Sequence, residues 1–433
     1  MRDAIVRSSM HRRRKGSFEA FDDVALLSAV RTPWSDLGGP LAKVSPTDLG
    51  IKVARTVLAR SAMDPAAVDA VIAGSVAQSS FDAYFMPRHI GLYSGVPVAV
   101  PALQVQRICA TGLEILHQAA ERIDRDDADM VLCVASESMS RNPIAAYTHR
   151  GGFSLGEPVQ FKDFLWEALF DPAIGINMIE TAETLAQQYT ISRQDVDEWA
   201  HLSFARAMAA QEQGWFDDEL VTVQSERFEQ DGYCTRSIAL PRKVAKVSRD
   251  THIRHSSLET LAALPTLSAC GVQTAGNSCA VVDGAAAMLV ARASHFREMP
   301  LLAMLRASAV VGVEPELMGL GPVQAIRLLL ERTGLSLDDI DLFEINEAQG
   351  AQVLAVQREL GLDPRRLNVC GGAIAMGHPL AATGLRLAMT LGRQLKQSGL
   401  RFGIASVCVG GGQGMALLLE SPTFTRTRRT PHH

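Results

Sequence analysis

The 433-residue chain has no apolar run near the roughly 18 residues needed to span a bilayer, and its N-terminus lacks the apolar stretch of a secretory signal. These absences argue against a membrane or an exported protein. A large charge of one sign is missing too. Lys and Arg number 42 against 47 Asp and Glu, a net charge of −5, so the chain has no general attraction to nucleic acid. Seven cysteines (Cys109, Cys133, Cys234, Cys270, Cys279, Cys370 and Cys408) include no C-x-x-C pair and no zinc-ligand spacing. No metal site is expected, and a cytoplasmic, reducing compartment suits the thiols. The stretch Arg12-Arg13-Arg14-Lys15 would fit an organelle transit peptide, against which stand Asp3, Glu19 and Asp22. Residues 1–22 are expected to be an unstructured extension and 422–433 an unstructured tail.

What is present is ordinary globular composition, 47% hydrophobic and 21% charged, in a chain long enough for two or three domains. The apolar run at 24–30, closed by Arg31-Thr-Pro33, predicts a buried parallel strand. A helix is expected from 46 to about 62, strands at 70–73 and 130–135, and a helix beginning near Ala110. Such alternation implies an α/β fold with a parallel or mixed sheet covered on both faces. Ala110-Thr-Gly-Leu113 recurs as Ala382-Thr-Gly-Leu385, and Val68-Asp69 recurs as Ile340-Asp341. Both pairs share one offset, since 382 − 110 = 272 and 341 − 69 = 272. Two structurally related halves follow. Between them, 141–274 is richer in aromatic, charged and amide residues, with helical periodicity at 182–189 and 195–213, and reads as an insertion. The apolar run at 285–291 returns the chain to the first half.

Four segments carry chemistry. Cys109 lies in Gln106-Arg-Ile-Cys109-Ala-Thr-Gly, at the start of a predicted helix, where free N–H groups and the helix dipole favour a thiolate. A small buried structural cysteine fits that segment as well. His378 sits on a turn between Gly377 and Pro379, held so that it could take a proton or donate to an oxyanion. Cys408-Val-Gly-Gly-Gly412-Gln-Gly414 is a strand end and a glycine-rich loop without the Lys-Ser/Thr of a phosphate loop, which favours an oxyanion hole beside a second thiol. Glu344-Ile-Asn346-Glu347-Ala348 marks another strand exit, a common place for a site in α/β sheets.

Taken together, these strings, with Thr274-Ala-Gly-Asn-Ser278, resemble the thiolase family over about Asp23 to Glu420. The resemblance implies a thiolase-like fold: two related βαβαβαββ halves in α/β/α/β/α layers with an inserted loop domain. Its boundaries would be 23–140 plus 275–298 for the first half, 141–274 for the loop domain and 299–421 for the second half. It implies an acyltransferase that cleaves 3-oxoacyl-CoA with coenzyme A or runs the reverse Claisen condensation, with no permanently bound cofactor. Cys109 would carry the acyl group, His378 would take its proton, and Cys408 would move the α-proton. The N–H groups of Cys109 and Gly410 would form one oxyanion hole; His378 and a water held by Asn346 would form the other. Coenzyme A contacts would fall at Arg254, Met178, Cys279, Met318, Ala348 and Gln349, and the protein would be a homodimer or homotetramer without nucleic-acid or membrane partners. Gln349, Cys279-Ala280 and Asn177 depart from the family's usual Phe, Ser-Gly and His. The alternatives are a condensing synthase of the same fold, which Cys408 disfavours, and a non-catalytic acyl-CoA or lipid binder, which the intact Cys109, His378 and Cys408 disfavour.

Overall fold

The computed structural model describes residues 15–147 and 150–423. Apolar runs of the first half form five strands in the spatial order Ala102–Gln104, Ala70–Gly74, Met130–Ser138, Val282–Arg292, Val24–Arg31. The second half repeats the last four places of that order with Leu342–Ile345, Phe402–Val409, Gln413–Glu420 and Ala303–Gly312. The two sheets meet where Ala25 and Leu26 pair with Met304 and Ala303. With short strands at Ser17–Ala20 and Ser35–Asp36, one hydrogen-bonded ladder of 11 strands results.

Two expectations are corrected here. The strand Val24–Arg31 is antiparallel to both of its neighbours rather than parallel. A continuous apolar run reports burial on both faces, which covering helices provide whatever the strand direction. The extension expected to be unstructured over 1–22 contains the strand Ser17–Ala20, antiparallel to Ala307–Val310. It occupies the edge of Ala303–Gly312 beyond the point where Val24–Arg31 leaves for the other sheet, satisfying backbone groups that an open edge would expose. Residues 1–14 and 424–433, including Arg12 to Arg14, lie outside the described residues.

Helix Pro46–Arg60 starts at an N-cap in which Ser45 accepts from Asp48 N–H, with Pro46 in the first turn, and it covers the outer face of the first sheet. Gly321–Thr333 covers the second. Helices Thr111–Asp124 and Thr383–Ser398 lie between the sheets, giving the α/β/α/β/α layering. From Thr383 to Gly392 every residue of the latter helix is buried, as an interior helix requires.

The 272-residue offset is structural. Asp69 Oδ2 accepts from the N–H groups of Asp129 and Met130 at 2.8 and 3.0 Å, and Asp341 Oδ2 accepts from Arg401 and Phe402 at 2.7 and 3.0 Å. The repeated Ala-Thr-Gly-Leu marks where the two central helices touch. A Cβ added at Gly384 would stand 2.4 Å from Leu113 N, and one at Gly112 would stand 2.6 Å from Leu385 N. The intervening segment carries helices Met178–Gln188 and Arg193–Glu212 and is anchored by buried charge. Arg31 holds Asp250 at 2.7 and 2.8 Å and Glu219 at 3.2 Å, while Glu347 accepts from Trp199 Nε1 at 3.1 Å and Ser203 Oγ at 2.7 Å. Among the described residues no helix is long and apolar enough to cross a membrane.

Because the neighbours of Gly384 at the helix crossing are backbone atoms, they cannot rotate away. Gly384→Ala is expected to lower unfolding stability by about 3 kcal/mol in urea titrations, the upper range for overpacking. Parental stability would show that the helices part freely.

Candidate active site

Cys109 stands in a single 3-10 turn, Ile108–Ala110, directly ahead of helix Thr111–Asp124. The preceding Ile108 has a φ of +43°, which a β-branched side chain strongly disfavours. Local bonds hold it there: Thr111 Oγ1 accepts from Arg107 N–H at 2.9 Å and donates to Ile108 C=O at 2.7 Å. Backbone strain of this kind is often found at reactive positions. The N–H groups of Cys109 itself and of Gly410 are hydrogen-bonded toward the sulfur and lower its pKa, as a helix start should. Burial is nevertheless the larger effect and pushes the thiol up to about 11. The helix start favours the thiolate as expected, but the residue is only 8% exposed and desolvation outweighs the two N–H donors, so the resting form is the neutral thiol.

His378 is buried on its Gly-Pro turn, its own N–H bonded to Ala280 C=O at 3.0 Å. Its Nδ1 lies 2.5 Å from Thr383 Oγ1, and that hydroxyl also reaches Pro379 C=O at 3.2 Å. If the hydroxyl proton goes to the carbonyl, Thr383 accepts from Nδ1–H and leaves a lone pair on Nε2. There, 3.4 Å away, lies Asn346 Nδ2, while Asn346 Oδ1 is buried without a partner in the protein. Burial, aided by the Arg386 cation, drives the imidazole pKa down to about 3. Arg386 is itself buried and paired with Glu344 at 2.8 Å. Burial raises that carboxyl to about 7, partly offset by Arg386.

Cys408 is the penultimate residue of the fully buried strand Phe402–Val409, and its thiol is raised far above the ordinary range by burial and by Cys109 and Cys279. The hairpin after it needs glycine. Gly411 and Gly412 have φ of +80° and +85°, and a Cβ on Gly412 would meet Val313 O at 2.4 Å. That turn carries Gly410 N–H to Cys109.

Met178, Met318 and Ala348 pack with Cys408 in one buried cluster. Cys279 joins it through its N–H on Ala348 C=O at 3.1 Å, and burial followed by the neighbouring Cys109 raises its thiol to about 12. Gln349 is buried opposite Ser278, its Oε1 unpaired. Arg254 is not part of this group: it is exposed, bonds to His252 and lies over the Phe204 ring at 5.2 Å. Thr383 and Glu137 were missed as site residues. Glu137, fully buried, accepts from Ser75 Oγ, Val76 N–H, Ala77 N–H and Ala381 N–H at 3.0–3.3 Å, tying a loop of the first half to the His378 turn of the second. Thr383 was visible only as part of the repeat. Glu137 had no sequence signal, because its partners are backbone groups from distant segments.

Two thiols, a neutral imidazole and converging N–H donors, all excluded from water between two related half-sheets, form a site suited to acyl transfer through a thioester. Comparison with known proteins gives the same class. Residues 24–294 match the family description "Thiolase, N-terminal domain" and 299–421 match "Thiolase, C-terminal domain". The chain is 39% identical to the mitochondrial 3-ketoacyl-CoA thiolase of Bos taurus over 92% of this chain and 98% of that protein. It is 37% identical to the acetyl-CoA acetyltransferase of Pseudomonas aeruginosa, over 92% and 99% respectively. The crystal structure of human mitochondrial 3-ketoacyl-CoA thiolase in complex with CoA superposes with a TM-score of 0.87 at 37% identity, covering 94% of this chain and 100% of that one. The chain belongs to the thiolase family.

With the imidazole neutral above about pH 3 and Cys109 a thiol below about pH 11, neither group changes charge from about pH 5 to about pH 9. The rate of Cys109 acylation is expected to be flat across that window. A sigmoid centred near the ordinary imidazole pKa of about 6.5 would contradict it. In the same series Thr383→Val, which removes the acceptor for Nδ1–H, is expected to lower kcat by about 10–100-fold with little change in KM, and Thr383→Ser to recover most of it.

Proposed function

We propose that this chain catalyses thiolytic cleavage of 3-oxoacyl-CoA by coenzyme A and the reverse condensation of an acyl-CoA with acetyl-CoA, through an acyl-Cys109 intermediate. The observation that carries this reading is the pair of buried thiols Cys109 and Cys408, near enough to act on each other, with buried His378 bonded through its N–H to Ala280, next to the neighbouring Cys279. Cys109 sulfur attacks C3 of the substrate as its proton passes to His378 Nε2; with both groups neutral at rest, attack and proton transfer occur together. The N–H groups of Cys109 and Gly410 stabilise the oxyanion, and removal of one such donor typically costs about 10²–10³ in rate. Cleavage of the C2–C3 bond leaves an enolate, which is protonated at carbon by Cys408 and held at oxygen by His378 and a water fixed by Asn346 Oδ1. Coenzyme A, giving its proton to the Cys408 thiolate, then attacks the thioester, and Cys109 recovers its proton from His378.

Cys279, Met318, Ala348, Met178 and Gln349 line the approach of the pantetheine arm in this reading, with Arg254 at its adenine end. The buried amide of Gln349 and the thiol of Cys279 stand ready to bond the arm's amides. The seven free cysteines support a reducing compartment, the cytoplasm. A homodimer is supported by the free edge of strand Ala102–Gln104, preceded by exposed Phe81, Tyr84, Phe85 and Val98. Sedimentation should give about twice the chain mass of 46.7 kDa; a monomer at micromolar concentration would refute the dimer.

The activity is tested by incubating the protein with 3-oxoacyl-CoA and coenzyme A and following loss of the 3-oxoacyl absorbance. Cys408→Ala is expected to abolish condensation while mass spectrometry still finds acetyl on Cys109. No turnover of any 3-oxoacyl-CoA, or acetyl on Cys408 alone, would overturn the assignment.

A further inference from the structure

Three residues beyond Thr383 on the same helix, Arg386 is fully buried, and so is Glu344, two residues before Asn346. Arg386 Nη1 donates to Glu344 Oε2 at 2.8 Å, and Glu344 Oε1 accepts from Gln394 Nε2 at 3.1 Å. Residues two apart on a strand face the same way, as do residues three apart on a helix. The Glu344–Arg386 bond is therefore a second rung beside the one in which Asn346 Nδ2 lies 3.4 Å from His378 Nε2 and His378 Nδ1 meets Thr383 Oγ1 at 2.5 Å. In the plane of the sheet the strand exit is fixed by Asn346 N–H on Ser406 C=O at 2.9 Å and by the Asn368 amide on both backbone groups of Ile345. Among the described residues, Glu344 makes the only side-chain hydrogen bonds from this strand across to helix Thr383–Ser398.

The fold itself does not require this pair. In the related half the matching positions are Ile72 and Glu114, since 344 − 72 = 272 and 386 − 114 = 272. Ile72 is buried, and Glu114 accepts instead from Arg107 Nε at 2.7 Å. The same strand and helix thus pack without a charge pair in the half that supplies Cys109 rather than His378. A buried ion pair adds little net stability over apolar residues of similar volume. Arg386 carries a further cost, because its Nε and Nη2 have no partner in the protein. What distinguishes the half that bears the pair is the contact between Asn346 and His378. Together with burial, the Arg386 cation also opposes protonation of His378, which keeps the Nε2 lone pair free.

We propose that Arg386 and Glu344 are positioning residues: their bond sets strand Leu342–Ile345 against helix Thr383–Ser398, so that the Asn346 amide keeps Nδ2 toward His378 and Oδ1 toward the water that faces the enolate. The inference rests on the thiolase reading above and adds two residues that act through Asn346. Glu344→Gln keeps the shape of the side chain and removes its charge. Its kcat for cleavage of 3-oxoacyl-CoA should fall about tenfold or more with KM within about twofold, because misplacing a reacting group by about 1 Å can cost about 10²-fold. In an Asn346→Ala background the same substitution should change kcat by no more than about twofold, as action through Asn346 requires. Arg386→Met combined with Glu344→Leu replaces the pair by apolar groups, which buried sites commonly tolerate. With parental stability in urea, that double variant should show the same loss of kcat. An unchanged kcat in either folded variant, a loss confined to KM, an equal loss in the Asn346→Ala background, or failure of both variants to fold would overturn the inference while the thiolase reading stands. Absence of turnover of every 3-oxoacyl-CoA by the unaltered protein would overturn both.

Discussion

Two glycines in contact set the architecture. Gly112 and Gly384 allow the first turns of the two central helices to cross with backbone against backbone, at a distance any Cβ would forbid. Cys109 lies three residues before one glycine and His378 six before the other, so the crossing that joins the halves also sets the places of Cys109 and His378. The strand ends holding Asn346 and Cys408 reach the same place from the second sheet.

The crossing lies between two sheets, and its depth governs the chemistry. A helix start would ordinarily favour a thiolate and a solvated imidazole would titrate near neutrality. Here desolvation is the largest cause at Cys109, Cys279, Cys408 and His378 alike, and each group is held in its neutral form. Charge need appear only while substrate is being transformed, when N–H donors already aimed at the sulfur can stabilise it without reorganising.

Burying so many polar groups demands that they be satisfied or paired. Glu137 collects four donors from both halves, and Glu347 ties the helix Arg193–Glu212 to Asn368 and Ile374 beneath the His378 turn. Removing one partner from such a buried network typically costs several kcal/mol, because the remaining charge is left unpaired. The surface cleft lined by Ile108, Met178 and Gly410 inherits its shape from this scaffold, since the loop that Glu137 holds supplies Val76 and Ala77 to its wall.

Much was legible in the chain itself. Periodicity and punctuation placed the strands and helices they named, such as Pro46–Arg60 and Met130–Ser138, to within a few residues, because apolar spacing and Pro or Gly act locally. The 272-residue register marked two halves, and the motifs around Cys109, His378, Asn346 and Cys408 pointed to acyl transfer. Strand direction in Val24–Arg31, the pairing of Ser17–Ala20 and the roles of Glu137 and Thr383 were not legible, because each depends on partners far away in sequence or on a hydrogen bond only the fold completes. The balance at Cys109 was not legible for the same reason: the helix start that favours a thiolate is written in neighbouring residues, whereas the burial that outweighs it is set by everything that packs around it. The sequence determined which groups could react; the tertiary structure decided their charge, because desolvation belongs to the assembled interior and to no single segment.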